Sequence, residues 1–269
     1  MYLAHYNLTL KPFEENPDPR FFWPSENHKE ALASLKYGIQ ENKAFILING
    51  DTGTGKTSLI NYFLLENDID AIVANLPDPD LSIYDFFKLV TNEFKISSDS
   101  NSKGDFLIQF EHFLQTTYSG RKRVLLIIDE AQRLNQQLME QIRLLSNIER
   151  NYTKLINVFL VGQNEVIDII KDEKNKALRQ RLTVHYTIEP LTELESHDYI
   201  KHRLSVAGSE VEIFSPEAHH EILLFSKGYP RLINIICDRA LLTGYVKETK
   251  RITGEIVKQC ADDLKILVE

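Results

Sequence analysis

The sequence predicts an α/β fold: a parallel sheet layered between helices, followed by a smaller helical domain. Two observations carry the prediction. Between residues 45 and 190, short apolar runs alternate with amphipathic helical segments, the pattern of a parallel sheet covered on both faces. After Pro190 only helical periodicity remains. A chain of 269 residues suits one large domain with a small one attached.

Residues 1–25 are rich in aromatics and prolines, as in "YNLTLKPFEENPDPRFFWPSENH". Proline disfavours a regular helix, so an extended segment is expected. Ser25 and Asn27 are polar start signals for a helix over "HKEALASLKYGIQEN". "AFILING" is a fully apolar first strand and "GKTSLINYFLLEN" the helix after it. "DAIVANL" is the second strand. In "DLSIYDFFKLVTNEFKI", Phe86, Phe87, Val90 and Phe94 recur at helical spacing. Polar, turn-rich residues 97–105 predict a loop. The helix "FLIQFEHFLQTTY" leads to the third strand, "RVLLIIDEA", and "LNQQLMEQIRLLSNIE" to the fourth, "LINVFLVGQ". Short helices "NEVIDIIKDE" and "KALRQRL" precede the fifth strand, "VHYTIEPL". Four helical segments complete the chain. The expected domains are 1–190, with 1–25 as its extended N-terminal segment, and 191–269.

Composition narrows the function. The net charge of −8 and pI near 5.6 argue against a dedicated nucleic-acid binder. Cys237 and Cys260 lack metal-ligand spacing and read as free buried thiols in a reducing compartment. No run approaches the ~18 apolar residues of a membrane span, and no basic start precedes an apolar run at the N-terminus. A soluble, cytoplasmic protein is expected, which would reach the inner face of a membrane only through partners or a further C-terminal region.

Residues 50–57, "GDTGTGKT", match G-x-x-x-x-G-K-[ST]. The glycines let the backbone wrap a phosphate chain with its N–H groups inward, Lys56 reaches the β- and γ-phosphates, and the Thr57 hydroxyl ligates Mg²⁺. By composition alone such a match arises in roughly one chain of this length per hundred, and a strand before with a helix after makes chance rarer. The candidate nucleotide contacts are therefore Gly50, Asp51, Thr52, Gly53, Thr54, Gly55, Lys56, Thr57 and Ser58.

In "LLIIDE" an apolar strand runs into Asp129, placed to hold Mg²⁺, and Glu130, placed to polarise the attacking water. The plainer reading is an acidic start to the next helix. At the end of the fourth strand, Gln163 is favoured over Asn164 to position that water. Arg179 and Arg181 precede the fifth strand; Arg181 is favoured as an arginine finger toward a neighbouring subunit, against a plain basic helix end. Arg231 in "GYPRLINIICDRA" sits in the first turn of a helix, where a cation opposes the helix dipole. Bending over a nucleotide would give it a purpose; an exposed arginine is the alternative.

These segments, in this order, resemble AAA+ ATPases. The opening "YNLTLKPFEENPDPRFFWPSENHKEAL" and the segment "GYPRLINIICDRALL" are similar to the ExeA (general secretion pathway protein A) type, over nearly the whole chain. The resemblance implies a five-stranded sheet in the order 5-1-4-3-2, a helical lid, and ATP with Mg²⁺ at their junction. It also implies assembly into dimers or rings with Arg181 acting in trans, and places Asn27 and His28 near the adenine. Members typically carry proline after the sensor glutamine; here it is Asn164. They often continue into a transmembrane helix and a peptidoglycan-binding domain.

Two functions are then expected. The first is an ATP hydrolase driving assembly of envelope or secretion machinery through protein partners. The second is a DNA-associated ATPase of the transposition type, with "GRKR" (120–123), "KDEKNK" (171–176) and "KETKR" (247–251) as candidate basic patches. A nucleotide-gated scaffold with slow turnover is a third.

Overall fold

The computed structural model describes residues 1–15, 18–66, 70–96 and 102–264. Five parallel strands form the main sheet: β1 (Phe45–Gly50), β2 (Ala71–Leu76), β3 (Arg123–Ile128), β6 (Asn157–Gly162) and β7 (Leu182–Ile188). Their order is β2-β3-β6-β1-β7, which is the expected 5-1-4-3-2 read from the other edge. Central β1 and β6 are buried at every residue, whereas edge strands β2 and β7 are only partly buried. That difference explains why the central strands read as unbroken apolar runs. Ile46 pairs with Phe159 on one side and Val184 on the other, and the β1–β7 pairing shifts by one residue between Phe45 and Ile46.

Between the third and fourth strands of this sheet lies a small hairpin that the sequence did not announce, β4 (Glu149–Arg150) and β5 (Thr153–Lys154). Its turn puts Asn151 and Tyr152 at φ 52 and 63. Two positive φ angles are the mark of a tight two-residue turn, but without glycine the usual signal is missing. Of the loop expected over 97–105, residues 97–101 lie outside the described residues, and Ser102 caps helix α5 (Lys103–Ser119) through Asp105 N.

The chain divides into two compact units: Met1–Asn27, Thr52–Tyr62 and Glu189–Glu269 in one, His28–Asp51 and Phe63–Ile188 in the other. In the sheet unit, helix α4 (Ile83–Glu93) and α5 supply a run of aromatic contacts. Phe87 stacks on Phe106 at 4.3 Å and Phe106 on Phe110 at 5.3 Å.

The other unit is built from α9 (Glu193–Val206), α10 (Pro216–Ser226), α11 (Pro230–Val246) and α12 (Gly254–Leu264). Residues 1–27 belong to it, against the expectation that grouped them with the sheet. The reason is apolar burial: Tyr2, Tyr6, Phe13 and Phe21 join one core with Tyr199, Ile200, Phe214 and Ile236. Tyr2–His5 is even helical, as α1, being upstream of the first proline, Pro12. Buried Arg203 fastens the segment. It donates to the carbonyls of Pro12 (2.5 Å) and Glu14 (3.2 Å) and to the Tyr199 hydroxyl, and it lies 5.1 Å from the Phe21 ring.

Chain breaks in this unit follow local rules. Thr192 and Glu195 form a capping box at the start of α9. Helix α10 ends in Lys227 at φ 49 and Gly228 at φ 82, and Pro230 opens α11. Cys237 and Cys260 are buried and free, as expected. Among the described residues, no helix is long and apolar enough to cross a membrane.

Candidate nucleotide and catalytic residues

Strand β1 ends at Gly50, and α3 (Lys56–Glu66) begins at the lysine of the motif. Between them Gly53 and Gly55 take φ of 83 and 97, values open to glycine and costly for other residues. Leu59 N–H already bonds Gly55 O at 2.9 Å, so the helix starts at once. Thr54 is fully buried and Lys56 only 8% exposed, while Thr57 is exposed. Glycine-permitted turning ahead of an eleven-residue helix is the geometry that aims backbone N–H groups at phosphate oxygens. These residues fit a nucleotide phosphate chain.

Arg231 meets the same loop, within the same unit. Its N–H, one of the unbonded donors at the start of α11, donates to Gly53 O at 3.2 Å. A Cβ on Gly53 would stand 3.0 Å from Arg231 Cβ. The rest of the α11 motif serves packing. Asn234 accepts from the Tyr199 hydroxyl at 2.9 Å, Asp238 accepts from the Tyr2 hydroxyl at 2.5 Å, and Cys237 is fully buried.

At the end of β3, Asp129 Oδ1 accepts the Glu130 N–H at 2.9 Å. Glu130 itself is left-handed, at φ 51, where the chain leaves the strand for a 3₁₀ turn over Ala131–Arg133. Two amides converge on Glu130 Oε2: Gln132 Nε2 at 2.5 Å and Gln163 Nε2 at 3.4 Å. Gln132 Oε1 in turn accepts the Gln163 N–H at 2.9 Å. Gln132 is a residue sequence reasoning missed. Its only signal was an amide two positions after "DE", on a turn that returns it to the carboxylate.

Asn164 points elsewhere. Its Nδ2 donates to Asp51 Oδ1 at 2.6 Å and its Oδ1 accepts from Asn49 Nδ2 at 2.5 Å. Asn49, fully buried on β1, uses its remaining oxygen for Thr187 Oγ1 (3.0 Å) and His185 Nε2 (2.7 Å). An amide oxygen only accepts, so His185 carries its proton on Nε2. Partial burial of that ring holds its pKa below the ordinary histidine value. A polar chain thus runs across β7, β1 and the end of β6 to Asp51. Of the two alternatives, Gln163 contacts the carboxylate and Asn164 the phosphate loop.

Both candidate finger arginines have partners in their own chain. Arg181 donates to Asn147 Oδ1 and, at 3.5 Å, to Arg143 O and Ser146 Oγ, at the C-terminal end of α6 (Gln136–Leu145). A cation is favourable there. Arg179 donates to Lys171 O and pairs with Glu173 at 3.0 Å.

Residues 39–170 match the family described as "AAA domain". The chain is 36% identical over 259 residues to general secretion pathway protein A of Aeromonas hydrophila, covering 95% of this chain and 47% of that protein; it thus spans about half the length of that relative. Among solved structures it resembles the ORC2 protein of Aeropyrum pernix in its ADP form, with TM-score 0.70, 15% identity, 94% of this chain and 72% of that one. It also resembles Cdc6p of Pyrobaculum aerophilum, with TM-score 0.69, 17% identity, 91% and 71%. Those likenesses establish the shared fold. Sheet order and the phosphate-loop motif give the chain the P-loop α/β fold of the AAA+ class. Within that class, the sequence is similar to the general secretion pathway protein A (ExeA) type over 95% of this chain.

Proposed function

We propose that this protein binds ATP with Mg²⁺, hydrolyses it within an assembly of its own copies, and uses the cycle to drive formation of a cell-envelope complex of the secretion type. The observation that carries the hydrolytic part is Glu130 Oε2 held by both Gln132 and Gln163. A carboxylate fixed in this way is ready to accept a proton from a water and to orient it. Lys56 and the N–H groups of Gly53 to Thr57 hold the phosphates, and Thr57 and Asp129 hold the metal. Mg²⁺ held there would supply positive charge to offset what develops on the phosphate oxygens. Gln163 orients the water, and Arg181 of a neighbouring copy offsets transition-state charge.

In this reading the chain up to residue 190 is the nucleotide-binding domain, except that residues 1–27 join the core of the lid formed by 191–269. The backbone bond from Arg231 N–H to Gly53 O ties the start of α11 to the phosphate loop, and the Arg231 guanidinium is assigned to the nucleotide in this reading. Envelope partners are inferred from the name of the 36% identical relative, and a cytoplasmic setting follows from that reading.

Steady-state ATP turnover per subunit, measured over a range of protein concentrations at low salt with and without duplex DNA, tests the proposal. Turnover that rises with concentration and ignores DNA supports it, and Lys56→Ala should abolish nucleotide binding. Turnover that needs DNA and fades with added salt would move the protein to the DNA-associated class.

A further inference from the structure

We propose that His197, Glu212 and His219 form a binding site for a divalent transition-metal ion, typified by Zn²⁺, inside the helical unit and separate from the nucleotide residues. His197 lies on α9, Glu212 on the loop that follows it, and His219 in the second turn of α10. One donor atom from each lies within 4.8 Å of the other two. Tetrahedral zinc with bonds of about 2.0–2.2 Å sets its donors about 3.4 Å apart. The His197 Nε2 to Glu212 Oε1 separation of 3.7 Å is already near that value. Two imidazoles and a carboxylate are a borderline-soft donor set suited to zinc and its neighbours rather than to Mg²⁺ or Ca²⁺.

Three further observations point to an ion. His197 Nδ1 faces Asp198 Oδ1 at 3.5 Å, leaving Nε2 toward Glu212. A carboxylate behind a histidine, which fixes the tautomer and raises basicity, is the usual surrounding of a metal-bound imidazole. His219 Nδ1 and Ser196 Oγ are shielded from solvent yet find no hydrogen-bond partner among the described residues, and Ser196 is only 3% exposed. Buried polar atoms in that state call for a missing partner. Lastly, all four of Ser196, His197, Glu212 and His219 line one cavity of about 450 Å³, which leaves room for a water as fourth ligand. A plain His197–carboxylate ion pair would account for Asp198 and Glu212 but not for the orphaned His219 nitrogen beside it, with ring centroids 4.4 Å apart.

The test is Zn²⁺ binding to the full chain in nucleotide-free, Mg²⁺-free buffer, by competition with a chromophoric chelator, with Co²⁺ absorption as a report on geometry. The expected result is one ion per chain, a thermal midpoint raised by Zn²⁺, and affinity at least tenfold weaker in both His219→Ala and Glu212→Gln, since losing a ligand costs no less than the ~10–100-fold of losing an outer partner. Lys56→Ala should bind zinc as well as the wild type. Glu212 is 64% exposed, so its substitution leaves the fold intact even if His219→Ala does not fold. Sub-stoichiometric binding, or unchanged affinity in Glu212→Gln and His219→Ala, overturns the site and leaves a water-filled polar cavity.

Discussion

Glu130 depends on its neighbours as much as on its own chemistry. Its backbone is left-handed, a conformation that disfavours non-glycine residues, and Asp129 and Gln132 both bond to it. Glu130→Gln should keep ATP binding and cut turnover by about a hundredfold or more, the usual contribution of a general base; turnover at the wild-type rate would dismiss Glu130. Gln132→Ala removes a hydrogen bond to a charged group, worth about 1.5–3 kcal/mol. It should lower kcat by roughly tenfold or more with KM little changed. A loss confined to KM would assign Gln132 to binding instead.

Among the elements, the turn between α10 and α11 is the least forgiving. Gly228 has φ 82, and a Cβ there would stand 2.1 Å from Leu191 O, a backbone atom that cannot swing away. The same pair is joined by a hydrogen bond from Leu191 N–H to Gly228 O at 2.9 Å. Gly228→Ala is therefore expected to destabilise the protein by about 2 kcal/mol or more, conformational strain and clash together. Denaturant unfolding measures this, and a change under 0.5 kcal/mol, roughly the noise for a surface position, would show that the turn relaxes. Helix α11 begins at this turn, and its Arg231 N–H contacts Gly53, so the variant should also weaken binding of a non-hydrolysable ATP analogue.

For the molecule as a whole, two arginines make opposite kinds of prediction. Arg203 is 7% exposed and holds residues 12–14 through main-chain carbonyls. Arg203→Ala leaves those acceptors unpaired and should cost about 3 kcal/mol, with the N-terminal segment becoming the first site of limited proteolysis. An unchanged cleavage pattern would mean that the aromatic burial suffices. Arg181→Ala, by contrast, should leave stability nearly intact and bind ATP normally. Its turnover should fall by about a thousandfold, the scale of an arginine finger, at every protein concentration. Mixing it with Glu130→Gln should restore part of the activity, because one copy then supplies the finger and the other the base. No recovery on mixing, or normal turnover of Arg181→Ala alone, would confine Arg181 to the α6 end that it touches here.

The sequence by itself determined the five strands of the main sheet, their order through the family resemblance, and the positions of the phosphate loop and the carboxylate pair. Those features are local: apolar runs of five or six residues, glycines with positive φ, and acids at a strand end are legible within a short window. What only tertiary structure decided depends on contacts across long separations. The aromatics of residues 1–25 looked like an extension of the sheet domain, but their partners, Tyr199 and Arg203, lie some 190 residues away. Gln132 and Gln163 meet on Glu130 only because β3 and β6 are adjacent in the sheet. His197, Glu212 and His219 have no motif spacing and come together because α10 packs back on α9. Local propensity writes elements into a sequence, whereas side-chain convergence is written by packing, which a single sequence does not display.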